Sequence, residues 1–163
     1  MTTVLICFDG SEDAATAVVK AGEVVAARAA LVLTVWEPVT SWAHYDPATI
    51  LSAPVSRLAS NALELDEIAR DVAREHAERG RELADQAGFQ AEVRLEQGKP
   101  WRVICQVAAD IQAQPIVIGA RGLGRMESAL LGSVSLAVVH HAKRPVLVVP
   151  HEASGAVGSV DRH

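Results

Sequence analysis

Val4-Leu5-Ile6-Cys7-Phe8-Asp9-Gly10-Ser11-Glu12-Asp13, together with Leu31-Val32-Leu33-Thr34-Val35-Trp36 further on, is the stretch whose reading decides the fold. Val4 to Phe8 is a continuous apolar run stopped by Asp9-Gly10-Ser11, the pattern of a strand buried on both faces and ended by a turn. From Ser11 to about Ala27 the chain reads as a helix. Glu12 and Asp13 fall in its first turn, and Ala14, Ala15, Val18, Val19, Val25 and Ala26 recur on one face. Leu31 to Trp36 is a second apolar strand. Strand, helix and strand joined at this length form a right-handed parallel crossover.

Working outward, residues 37–60 hold Pro38, Pro47 and Pro54 with scattered Ser and Thr and no apolar period, which predicts a long loop. A helix over 62–87 follows, with Ile68, Ala69, Val72, Ala73, His76, Ala77, Leu83, Ala84 and Ala87 on one face. Gly80 within it costs about 1 kcal/mol relative to Ala. Phe89, Ala91, Val93 and Leu95 alternate with polar residues up to Glu96, the signature of a half-buried strand at a sheet edge. Pro100 opens a helix with Trp101, Ile104, Val107, Ala108 and Ile111 on its apolar face. Pro115 to Ile118 is a strand entering a turn at Gly119, Ser133 to Ala142 a helix, and Pro145 to Val149 a last strand. Five strands alternating with four helices predict an α/β fold, a doubly wound parallel sheet of the flavodoxin-like type with helices on both faces and strand order 3-2-1-4-5. Residues 1–150 form one domain, and the Gly-containing tail 151–163 is expected to be disordered.

Composition narrows the partners. The 163 residues are half apolar but only 4 % aromatic, so the core is built from Val, Leu, Ile and Ala. A net charge of -5 without a long run of either sign argues against nucleic acid and acidic membrane surfaces as partners. Cys7 and Cys105 each sit in an apolar run and read as reduced core thiols. No signal sequence or membrane-spanning run is visible, and a cytoplasmic protein is expected.

Ligands of open parallel sheets bind beyond the carboxyl ends of the strands, where the strand order reverses, which points to the turns after strands one and four. The first turn, Asp9-Gly10-Ser11-Glu12-Asp13, carries three acids and suits hydroxyl or amine donors rather than an anion. The fourth has the opposite chemistry. Gly119, Gly122 and Gly124 let backbone N–H groups approach an anion and Arg121 and Arg125 supply charge. Gly132-Ser133-Val134-Ser135 adds a helix start and two hydroxyls, which completes a phosphate cradle. The bland alternatives are that the glycines only turn the chain, that Asp9 only caps a helix, and that Arg125 is only solvated. His140 and His141 complement the C-terminal end of their helix, and His76 is a boundary residue. His44 in the long loop is a remoter candidate for a nucleotide contact, and Met126 and the tryptophans read as packing residues.

Gly119-x2-Gly122-x9-Gly132-Ser133 has the G-x2-G-x9-G-[ST] spacing of the ATP-binding branch of the universal stress proteins, and the chain resembles that family. Phe8-Asp9-Gly10-Ser11, Leu33-Thr34-Val35 and Arg144-Pro145-Val146-Leu147-Val148-Val149-Pro150 are similar to its other signatures, in the same order. The resemblance covers residues 2–150 and implies the adenine nucleotide alpha hydrolase-like variant of the sheet. It implies that Asp9 and the backbone of Val35 hold the adenine and ribose end, with Cys7 and Ile118 as apolar wall. Gly119, Arg121, Gly122, Gly132, Ser133 and Val134 would line the phosphates, with Ser135 beside them. Relatives often carry Ser or Thr where Ala120 stands here, which removes one hydroxyl contact.

Several enzyme motifs are absent. Gly98-Lys99 is followed by Pro100, so there is no P-loop, and Ser133 and Ser135 lack the nucleophile elbow. No zinc spacing occurs, and Glu127 is the only carboxylate in the phosphate loop. The leading expectation is an ATP-binding regulatory module, with or without Mg, read by an unidentified protein partner. Slow ATP hydrolysis or phosphotransfer through Glu127 or Ser135 is one alternative, and a scaffold holding AMP or a cyclic nucleotide is another. The last strand falls at a sheet edge, and Val146 to Val149 carries no inward charge or proline. A homodimer through strand 145–149 is therefore expected, and the resemblance implies the same.

Overall fold

The computed structural model describes residues 2–38, 55–121 and 131–150. The elements, in order, are β1 (Thr3–Cys7), α1 (Glu12–Val24), β2 (Ala29–Trp36), α2 (Val55–Gln86), β3 (Gln90–Gln97), α3 (Pro100–Asp110), β4 (Ile116–Gly119), α4 (Ser133–His141) and β5 (Val146–Val149). The strands form one sheet in the order β3-β2-β1-β4-β5, and every neighbouring pair is parallel. This is the fold class and strand order read from the sequence.

Alternation along the central strand explains its unbroken apolar run, because successive side chains point to opposite faces and both faces are covered. Val4 and Ile6 pack with Ala14, Ala17, Val18 and Ala21 of α1 and Ala84 of α2. Leu5 and Cys7 pack with Ile104, Val107 and Ala108 of α3 and Val138 of α4. The edges differ, since β3 is half-exposed with charges on alternate residues and β5 is short and apolar.

Three expectations need correction. Phe8 is not part of the first strand: its N–H still donates to Leu33 O at 3.0 Å, but its carbonyl accepts Thr34 Oγ1 at 2.8 Å instead of continuing the ladder. Helix α1 stops at Val24, so Ala26 and Ala27 lie outside it. The β-branched pair Val24-Val25 is a weak helix continuation, and the Arg28 guanidinium donates to the Gly22 carbonyl at 3.3 Å, occupying an acceptor of the last turn. The stretch 37–60 is not wholly loop, because α2 begins at Val55, directly after Pro54. Val55, Leu58 and Ala59 already follow the helical spacing that Ala62 and Leu63 continue, and the prolines before them obscure it. Residues 39–54 of that stretch, His44 among them, and the tail 151–163 lie outside the described residues.

The apolar stripe of α2 is buried only in part. Ala73, Ala77 and Ala84 are buried, whereas Ile68 and Val72 are 59 % and 43 % exposed. The 32 residues of α2 span about 48 Å, and an eight-residue strand about 26 Å, so the helix overruns the sheet. Gly80 lies where α2 comes closest: a Cβ there would stand 2.8 Å from Phe8 Cγ and 2.9 Å from Val32 Cγ1. The helix-propensity cost of that glycine is offset by the close approach it permits. His141, read from sequence as charge complementing a helix end, also stacks on Trp101 of α3, with ring centroids 4.6 Å apart.

Candidate functional site

From β1 the chain crosses to β2 on one side, and from β3 it returns to β4 on the other, so the order reverses between the two central strands. A cavity of about 310 Å³ lies beyond their carboxyl ends. Cys7, Asp9, Val35, Ile118, Gly119, Arg121, Gly132, Ser133, Val134 and Ser135, all singled out in the sequence, line it. Gly122, with Gly124, Arg125 and Glu127, lies outside the described residues.

The β1 side of the cavity is a turn that satisfies its own polar groups. Asp9 Oδ1 accepts the Ser11 N–H at 3.0 Å, and Ser11 Oγ accepts the Ala14 N–H at 3.1 Å as the N-cap of α1. The capping role considered for Asp9 thus falls to Ser11, and the half-buried Asp9 lines the cavity. Gly10 makes the turn possible with φ +85°, and the His76 ring of α2 lies 2.6 Å from where its Cβ would be.

The β4 side is held by backbone and hydroxyl contacts. The Gly132 N–H donates to Ala120 O at 2.7 Å, closing the base of the 121–131 segment, and the buried Ser135 hydroxyl donates to Gly119 O at 2.8 Å. Gly119 packs so tightly on α1 that a Cβ would come within 2.9 Å of the Asp13 carbonyl. Gly132 is the N-cap of α4 and has no side chain with which to cap it, and Ser133 and Val134 of its first turn line the cavity. Oriented donors and the positive end of the helix dipole are what an anionic oxygen requires.

Burial pushes the Cys7 thiol far above its ordinary value, and Cys105 and Asp9 push it further the same way. Burial also raises Cys105. Cys7 is therefore a neutral, apolar piece of wall and not a nucleophile. Sequence reasoning missed Phe8, Ala14, Leu33, Pro100 and Ile104, which complete the lining. The signal available for Pro100 and Ile104 was positional: a helix opening at the carboxyl end of β3 starts on the ligand-binding side of a parallel sheet. An apolar wall, a carboxylate and a helix start fit a nucleoside with phosphate attached. Among the described residues no group of three or more His, Cys, Asp or Glu is placed to hold a metal ion, so magnesium has no such cluster there.

Comparison with known proteins agrees with this geometry. The protein in the QAH/OAS sulfhydrylase 3′ region of Thermus aquaticus, described as a universal stress protein, is 34 % identical over 149 residues, covering 90 % of this chain and 97 % of that one. A universal stress protein A-like protein of Arabidopsis thaliana is 36 % identical over 66 residues, a match spanning 40 % of this chain and 38 % of that protein's length. The structure of hypothetical protein MJ0577 superposes with a TM-score of 0.74 at 22 % identity, covering 94 % of this chain and 98 % of the other. An Arabidopsis thaliana universal stress family protein with AMP bound superposes with a TM-score of 0.61 at 20 % identity, covering 98 % of each chain. A universal stress protein in complex with cAMP does so with a TM-score of 0.60 at 24 % identity, covering 91 % of this chain and 96 % of that one. Residues 1–150 match the universal stress protein family, and together with the full-length relative this shows that the chain belongs to it.

Proposed function

We propose that this chain is an adenine-nucleotide-binding regulatory module of the stress response, with ATP as its ligand. The observation that carries the reading is convergence: ten residues from four separate stretches of sequence meet in one cavity at the reversal of strand order. Asp9 and Val35 stand at the nucleoside end, with Cys7 and Ile118 forming the wall. Arg121 and the start of α4 take the phosphates, and Gly122 belongs with them from the motif. Relatives described with AMP, dAMP and cAMP bound support the adenine part of this assignment. Nucleotide occupancy orders the phosphate loop, and an unidentified protein partner reads the surface so formed. Among the described residues no helix is long and apolar enough to cross a membrane.

Denaturing freshly purified protein and identifying the released nucleotide by mass tests the reading. ATP is expected, and AMP or cAMP would transfer the site to the scaffold alternative. A preparation that releases nothing and gives no calorimetric signal with ATP, AMP or cAMP overturns it. Slow hydrolysis or phosphotransfer is the weaker reading, because the Ser135 hydroxyl proton is spent on the Gly119 carbonyl.

The module acts as a homodimer. The edge strand β5 is short and apolar, and Leu136 and Val139 of α4 are each 45 % exposed, features suited to a second copy across a twofold axis. Analytical ultracentrifugation is expected to find the parent dimeric and Val148→Lys shifted towards monomer at micromolar concentration. A parent that sediments as a monomer removes the dimer.

A further inference from the structure

The acids of the first turn look misplaced beside a phosphate site, yet one of them is built into it. Asp13, in the first turn of α1, is only 9 % exposed, and its Oδ2 accepts the Arg121 backbone N–H at 3.2 Å across 108 residues of sequence. The same turn touches the chain a second time, because a Cβ on Gly119 would lie 2.9 Å from the Asp13 carbonyl carbon and oxygen. Arg121 follows directly on the Gly132 to Ala120 hydrogen bond that closes the base of the 121–131 segment. The hydrogen bond holds the Arg121 peptide plane where the chain enters that segment, and Arg121 lines the cavity.

We infer that Asp13 is a positioning residue for phosphate recognition: its carboxylate holds the Arg121 backbone so that the guanidinium is presented to the phosphates of the nucleotide. The inference rests on the nucleotide reading above and assigns Asp13 no contact with the ligand. A held side chain loses less conformational freedom on binding, and that saving appears in the phosphate part of the affinity alone. The nucleoside end, formed by other residues, is untouched.

Calorimetric titration of adenosine and of ATP gives the preference for ATP in each variant. Asp13→Ala is expected to lower that preference about tenfold while leaving adenosine unchanged. Asp13→Asn, whose amide oxygen accepts the same N–H, is expected to keep it within about twofold. Both changes remove the charge at the helix start, so a role in charge alone would move them together. The double variant Asp13→Ala/Arg121→Ala is expected to be no worse for ATP than Arg121→Ala, because a positioning residue has nothing left to position. Amide hydrogen exchange at Arg121 in the free protein is expected to accelerate in Asp13→Ala and not in Asp13→Asn.

Asp13→Ser, too short to reach Arg121 but favourable in a first helical turn, repeats the measurement where the alanine variant does not fold. An unchanged preference for ATP in Asp13→Ala or Asp13→Ser, or losses in the double variant that add, overturns the role of Asp13 while the nucleotide reading stands. A folded parent that binds neither adenosine nor ATP overturns the nucleotide reading, and this inference with it.

Discussion

The connection from β1 into α1 takes four residues, Phe8 to Ser11, while that from β4 into α4 takes thirteen, Ala120 to Gly132. They leave neighbouring strands at the centre of one sheet, and they solve the problem of exposed backbone in different ways. The first closes on itself: Asp9 accepts the Ser11 amide, Ser11 caps the helix, and Thr34 ties down the Phe8 carbonyl. The second is anchored at its base, by Gly132 on Ala120 and by Ser135 on Gly119, and it enters α4 through a glycine N-cap that brings no side chain of its own to the first turn. A turn that consumes its own donors makes a fixed wall. A helix start that keeps them has something to offer a ligand.

The largest effects should come where the two connections touch. Gly119→Val drives a branched side chain into the Asp13 backbone and should cost about 3 kcal/mol in denaturant unfolding as well as abolish ATP binding. Gly122→Val should leave the fold intact and weaken ATP by at least about tenfold in calorimetry, since a Cβ there blocks the approach of backbone to phosphate. Full affinity in the Gly122 variant would break the contrast between wall and donor loop.

A finer test separates the two ends of the ligand. Asp9→Ala is expected to weaken adenosine and ATP alike, and Arg121→Ala to weaken ATP while sparing adenosine, because only the guanidinium has phosphate as its partner. Proportional losses in both variants would reverse the orientation of the nucleotide. The smallest effect belongs to Ser11→Ala. It removes the α1 cap and should lower stability by about 1 kcal/mol with little change in affinity, as expected of a residue whose hydroxyl serves the wall alone.

What the sequence made legible follows from periodicity and from spacing. Strand β1 reads plainly because burial on both faces leaves a run with no polar interruption, and the phosphate side of the cavity reads plainly because glycines and a helix start recur at a fixed interval, whereas Cys7, Val35 and Ile118 were named from the family resemblance alone. The start of α2 at Val55 was hidden by the prolines before it, although Val55, Leu58, Ala59, Ala62 and Leu63 already follow helical spacing. The exposure of Ile68 and Val72 was hidden for another reason: a stripe records which face is apolar but not where the sheet beneath it ends. The contact that Asp13 makes was hidden as well. Its partner is a backbone amide more than a hundred residues away, and a backbone amide leaves no mark on composition.

Gly80 has a consequence for anyone trying to make this protein more thermostable. Helix-propensity tables recommend replacing a mid-helix glycine with alanine, for a gain of about 0.5–1 kcal/mol. Here the added methyl would lodge between the Phe8 ring and Val32, two groups held from below by the sheet and with no room to retreat. Gly80→Ala is expected to lower the thermal midpoint instead of raising it, and compensation would have to come from Phe8 or Val32, on the opposite side of the contact. A library that recodes α2 by propensity alone would therefore select against its own best-scoring member.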